Sequence, residues 1–351
     1  MQSQNDLSRP PREVDFGEFL KVLRREGRPA YLPFYEHGYS HGFFARRMGL
    51  LESELPPWGT AEYHKLFVDF WLGMGWDHIP LEIGLNCPLA KAERANSVGS
   101  ESHVVIQSWE DFEKYPWPDV SNPINFNHFE MVAGLLPAGV KIVGGVGAGP
   151  YEWAALMMGV QGLSMALALD PDLVQAVFDK LGELHVSADR QIASMDFVGA
   201  LRQGDDLGFK TSTFLSPDHL RQYVFPIYKR MVQTAHDRGK PFILHSCGNL
   251  EAVYDDLIDD CGFDAKHSFE DTILPVNEFK RRYGNRITPL SGLDVDMICR
   301  GSRDEIIGYT RRMIEECFAD GHWALGTGNS LTDYMPVENY LLVVEEGLKV
   351  T

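Results

Sequence analysis

The sequence predicts an α/β chain folded as a single (β/α)8 TIM-type barrel, and three observations carry that prediction. Eight short apolar or β-branched runs recur between turn residues, helices with readable start signals lie between most of them, and 351 residues is an ordinary length for one such barrel. The runs, in chain order, are Ala30–Tyr35, Ile79–Ile83, Val140–Val146, Phe197–Arg202, Pro241–His245, Phe263–Ser268, Ile287–Ser291 and His322–Gly326. Strands alternating with helices call for parallel pairing through right-handed crossovers. A lead of fifteen residues, 1–15, is expected to be mobile, with the barrel occupying 16–351.

The intervening helices announce themselves by their caps. Asp170 before Pro171 is an N-cap followed by proline at the first helical position, and Ser216 before Pro217 repeats the device. Leu220, Val224, Ile227 and Met231 then follow helical spacing, with a kink expected at Pro226 and an end at Gly239. Ser302 with Glu305 forms a capping box ahead of the apolar stripe Ile306, Ile307, Met313, Ile314 and Cys317. Gly144-Gly145-Val146-Gly147-Ala148-Gly149-Pro150 lacks both the dinucleotide spacing and a following Lys-Ser/Thr pair, so it reads as a tight strand-to-helix turn.

Composition narrows the function. Lys plus Arg number 32 against 50 Asp plus Glu, a formal charge of −18, which repels phosphate backbones and argues against nucleic acid as a partner. No apolar run approaches the roughly 18 residues of a membrane span, and the N-terminus has no secretory stretch, so a cytoplasmic protein without membrane partners is expected. The cysteines, Cys87, Cys247, Cys261, Cys299 and Cys317, are few and odd in number, which points to a ligand or nucleophile among them rather than a disulfide framework.

In a barrel, chemistry gathers just after the strands, at the C-terminal rim. Reading those positions gives Glu36 and His37, Asn86 and Cys87, Tyr151 and Glu152, Asp205 and Asp206, His245 and Cys247, His267 and Glu270, Asp294 and Asp296, and Thr327 and Asn329. The strongest local signal is Leu244-His245-Ser246-Cys247-Gly248, because neutral imidazole and thiolate are zinc's usual ligands and zinc deprotonates a bound thiol or water. Two ligands do not complete a site, and the plain alternative is a buried histidine with an inert cysteine. Asp205 and Asp206 are adjacent, so their side chains diverge and only one can face the mouth. Asp205, Asp206 and Glu152 are the candidate catalytic carboxylates, while Tyr35, Asn86, His267 and Asn329 are candidate contacts for a small-molecule substrate.

At these residues the chain resembles the uroporphyrinogen decarboxylase superfamily. The resemblance rests on His245-x-Cys247-Gly248, Asp205-Asp206-Leu207-Gly208 with Leu215-Ser216-Pro217, Ser291-Gly292-Leu293-Asp294-Val295, and Gly326-x-Gly328 with Pro336-x-Glu338-Asn339. It covers most of the chain and is clearest after Gly149. The His-x-Cys pair is similar to that of the branch that exchanges methyl groups with corrinoid proteins. What the resemblance implies is a barrel with a zinc that activates a methyl donor or acceptor near methylcobalamin carried by a partner protein. In that branch the glycine-flanked slot near the C-terminus holds a third ligand cysteine, and in the decarboxylases a histidine, but here it holds Thr327. The remaining donors are therefore expected at Glu36 or His37, with His267 or Glu270 as further candidates. The first strand ends in Glu36-His37 rather than in the arginines that a many-carboxylate substrate requires. The expected activity is thus metal-dependent methyl transfer with a corrinoid protein. A decarboxylase of a carboxylic acid or tetrapyrrole, and a non-catalytic binding barrel, stand as alternatives.

Overall fold

The computed structural model describes residues 10–90 and 103–351. Six parallel strands form one sheet in sequence order: β1 (His78–Gly84), β2 (Lys141–Gly147), β3 (Val198–Gly204), β4 (Phe242–His245), β5 (Ala265–His267) and β6 (Thr288–Pro289). Two further segments continue the ring through parallel bridges, since Leu290 pairs with Ala324 and Leu325 pairs with Phe34. The eight positions are the eight runs expected from the sequence, and the chain is a TIM-type barrel. The first and last runs make single bridges instead of ladders.

The helices follow from their caps. Asp170 accepts from the amide of Leu173 to start Pro171–Ser194, and Ser302 with Glu305 forms the full capping box of Arg303–Cys317. The helix beginning at Pro217 widens into a π segment, Leu220–Val224, before continuing as Phe225–His236. Pro226 has no N–H to donate to the preceding turn, which accounts for the widening there.

Strand side chains alternate, so every second residue enters the barrel. Tyr35, Val143, Ala200, Ile243, Ala265, Leu290 and Ala324 make an apolar interior layer. The helix Phe16–Arg24 closes the layer from the N-terminal end with Phe16, Phe19, Val22 and Leu23, and Phe19 stacks on His78 at 4.4 Å. Residues 1–9 of the expected lead lie outside the described residues, whereas Arg12 bonds the carbonyls of Leu32 and Gly75. Two residues further along the strands, the inward side chains become His37, Arg202, His245 and His267. Gly204, His245 and His267 are level in register, which places the two histidines side by side. Among the described residues no single helix is long and apolar enough to cross a membrane.

Candidate metal centre

His245 and His267 meet through their Nδ1 atoms at 2.7 Å. The other nitrogen of His267, Nε2, lies 3.0 Å from the carbonyl of Thr327, and a carbonyl only accepts, so Nε2 carries the proton. Burial keeps both rings neutral: it lowers His267 to about 3 and holds His245 well below its ordinary value. Nδ1 of His267 is therefore the bare acceptor and Nδ1 of His245 the donor. That leaves Nε2 of His245 with a free lone pair, oriented by its neighbour as a ligating imidazole is.

This nitrogen faces Sγ of Cys247 at 3.5 Å and Oδ1 of Asp206 at 3.6 Å. For tetrahedral coordination with ordinary zinc distances, the separation between neighbouring donor atoms is about 3.4–3.6 Å, which both separations from His245 Nε2 match, and all three donors lie within 4.8 Å of one another. Asp206 is held in place because its Oδ1 accepts the amide of Cys247 at 2.9 Å. Leu207 N–H donates to Ser246 Oγ at 3.0 Å, fastening the same two loops. Gly248 adopts φ +81°, and a Cβ there would sit 2.2 Å from the carbonyl carbon of Gly208, so only glycine allows the loops to touch. Burial, with Asp206 adding to it, pushes the Cys247 thiol up to about 12, so the thiol holds its proton until a cation displaces it. Asn329 Nδ2 lies 3.3 Å and Ser268 Oγ 3.7 Å from Sγ.

His37, Nε2 of which lies 3.7 Å from Glu82, also approaches His245, but the two rings stack at 3.7 Å with 12° between planes. His37, His245 and His267 also bring ring nitrogens within 4.8 Å of one another, a second donor grouping that shares His245, although the stacked rings aim their lone pairs along parallel planes. Glu36 is engaged elsewhere: its carboxylate accepts from Thr327 N–H and Oγ1–H at 2.7 Å each and from Tyr340 OH at 2.9 Å. Burial raises it to about 8 despite those donors. The donor set at His245 thus includes Asp206, expected from the sequence as catalytic, and leaves Glu36 outside.

The two adjacent aspartates diverge. Asp205 is buried and accepts from the amides of Tyr151 and Glu152 at 3.0 and 2.8 Å and from Tyr228 OH at 2.6 Å. It caps the helix Pro150–Met158, with burial raising its carboxyl to about 7. Glu152 lies beside Asp205, Asp206 and Glu82, and burial followed by that crowding raises its carboxyl to about 8. Tyr35 sits in the barrel interior with its ring edge-on to His267 at 5.4 Å. Asn86 is exposed and donates to the carbonyl of Asn122 at 3.1 Å, a loop tie apart from the donor cluster.

Two site residues were not singled out from the sequence. Glu82 pairs with Arg202 at 3.0 Å beneath the histidines, and Lys266 is buried against the Phe269 ring, its Nζ donating to Ser268 O. The available signal was a charge standing inside each apolar strand run. Arg202 does turn inward, but Glu82 and the carbonyls of Glu36 and His37 engage it. Arg46 bonds the carbonyls of Asp333 and Met335.

The family model described as "Uroporphyrinogen decarboxylase (URO-D)" matches residues 90–347. No curated protein sequence matches the chain. Among solved structures, a methyltransferase from Methanosarcina mazei superposes with a TM-score of 0.68 at 18% identity, covering 95% of this chain and 98% of that one. A GH27 β-L-arabinopyranosidase from Geobacillus stearothermophilus gives a TM-score of 0.39 at 12% identity, covering 99% of this chain and 77% of that one.

Proposed function

The chain belongs to the uroporphyrinogen decarboxylase family, and within that family we propose that it is a metal-dependent methyltransferase, passing a methyl group between a small molecule and a corrinoid carried by a partner protein. The observation that carries this reading is the convergence of His245 Nε2, Cys247 Sγ and Asp206 Oδ1 at the barrel mouth. The fold shared with the Methanosarcina mazei methyltransferase makes methyl transfer the first activity to test.

A zinc held by these three residues would supply Lewis acidity to the methyl-bearing or methyl-accepting atom. His267 fixes the His245 ring so that its free lone pair stays in place. Asp206 positions the Cys247 amide and with it the sulfur. Burial and the neighbouring Asp205 and Asp206 raise the carboxyl of Glu152, favouring its protonated form beside Asp206. When methyl leaves as a cation equivalent, the breaking bond's electron pair stays on the donor atom, and Glu152 is the acid in place to protonate it. A corrinoid in its reduced nucleophilic form, bound to a partner protein, would supply the acceptor for the methyl.

The pairing of Arg202 with Glu82 tells against decarboxylation of a tetrapyrrole with many carboxylates, because no free cationic cluster faces the donors among the described residues. The test has two arms. Elemental analysis should find about one zinc per chain in the wild type and next to none in His245→Ala and Cys247→Ser. Methylated cobalamin with a panel of alcohols, phenols, thiols and folate should then show a change in corrinoid absorbance. Carbon dioxide released from uroporphyrinogen, or zinc content equal in all three proteins, would overturn the reading.

A further inference from the structure

We infer that the open position of the His245, Cys247 and Asp206 site takes an uncharged oxygen compound, an alcohol or a methyl ether, in preference to a thiol. The inference rests on the metal-site reading above and names its substrate class.

The first argument concerns the donors. One sulfur, one imidazole nitrogen and one carboxylate oxygen make a mixed set, harder than a site built on two thiolates, and hard sites favour oxygen. No second cysteine joins the group among the described residues. The sulfur is itself weakened as an electron donor, since Asn329 Nδ2 donates to it at 3.3 Å. A cation so ligated pulls harder on an oxygen lone pair.

The second argument is charge. A thiol binds a metal as thiolate and brings one negative charge, whereas an alcohol or ether enters neutral. Cys247 as thiolate and Asp206 as carboxylate already offset the two charges of a dication there. A cavity of about 320 Å³ reaches Asn329 and is lined by Glu270, Asp271 and Asp294 with no basic side chain. Bringing a further anion there is opposed at close range. The loop bearing Asp206 also exposes Phe209 and Phe214, the latter stacked on Tyr151 at 6.0 Å, which suits an uncharged organic body.

Cobalt(II) in place of zinc tests this directly, since each sulfur ligand adds a charge-transfer absorption and each change of ligand moves the visible bands. The full chain loaded with cobalt should show the intensity of one thiolate, lost in Cys247→Ser. Adding 2-mercaptoethanol should leave that intensity unchanged, while methanol and anisole should shift the visible bands. In Asp206→Cys the intensity should double without added thiol, which calibrates the readout. A doubling in the wild type on 2-mercaptoethanol, or no response to the oxygen compounds, overturns the inference while leaving the metal site intact. Failure to bind either cobalt or zinc sinks the metal reading itself and the inference with it.

Discussion

Asp205 and Asp206 are neighbours in the chain and opposites in the molecule. Asp205 is buried, with three donors closing on it, and it holds the start of the helix Pro150–Met158. Asp206 is partly exposed, accepts one amide, and turns an oxygen toward His245. The same contrast repeats across the mouth, where Glu36 is tied by Thr327 and Tyr340 while His245 Nε2 keeps its lone pair facing Cys247 Sγ. A rim carboxylate with all its lone pairs engaged builds the loop; one with a lone pair left over is free for chemistry.

The comparison breaks most decisively at the aspartates. Asp206→Ala should lower zinc affinity at least about 100-fold while the melting temperature barely moves, because a partly exposed ligand is lost. Asp205→Ala should do the reverse, costing about 3 kcal/mol of stability through buried donors left unpaired, with zinc content retained. Chemical denaturation beside elemental analysis reads both, and similar behaviour of the two variants would erase the distinction.

His267 sharpens it at the next level. His267→Phe keeps the ring but removes the acceptor that fixes His245 Nδ1, so zinc affinity should fall about 10–100-fold with the ligands all present. Competition against a chelator measures this, and an unchanged affinity would mean that His245 needs no orientation.

The smallest effect belongs to Glu36. Burial raises its carboxyl from the usual 4.5 to about 8, so the native state retains a proton that the unfolded chain gives up. Its contribution to stability is whole below pH 4.5 and declines as pH rises toward 8, since the unfolded state binds fewer protons across that window. Glu36→Gln, which cannot ionise, should flatten the decline in stability between those limits without altering zinc content. Urea denaturation at stepped pH checks it.

What the sequence by itself determined is local in origin. Strand alternation has a period of two, and helix caps lie within three residues of the amides they satisfy, so the eight strand positions and the capping at Asp170, Ser216 and Ser302 were legible from short stretches. His245 and Cys247 were legible for the same reason, being two residues apart on one strand end. The tertiary structure decided which carboxylate joins them. Asp206 stands 41 residues from Cys247 and reaches it across the loops that follow β3 and β4, while the partner that fixes the proton on His245 comes from β5. The direction of a rim carboxylate depends on which amides and hydroxyls of distant strands arrive beside it, and those arrivals are set by strand order and register, which no nearby residue specifies.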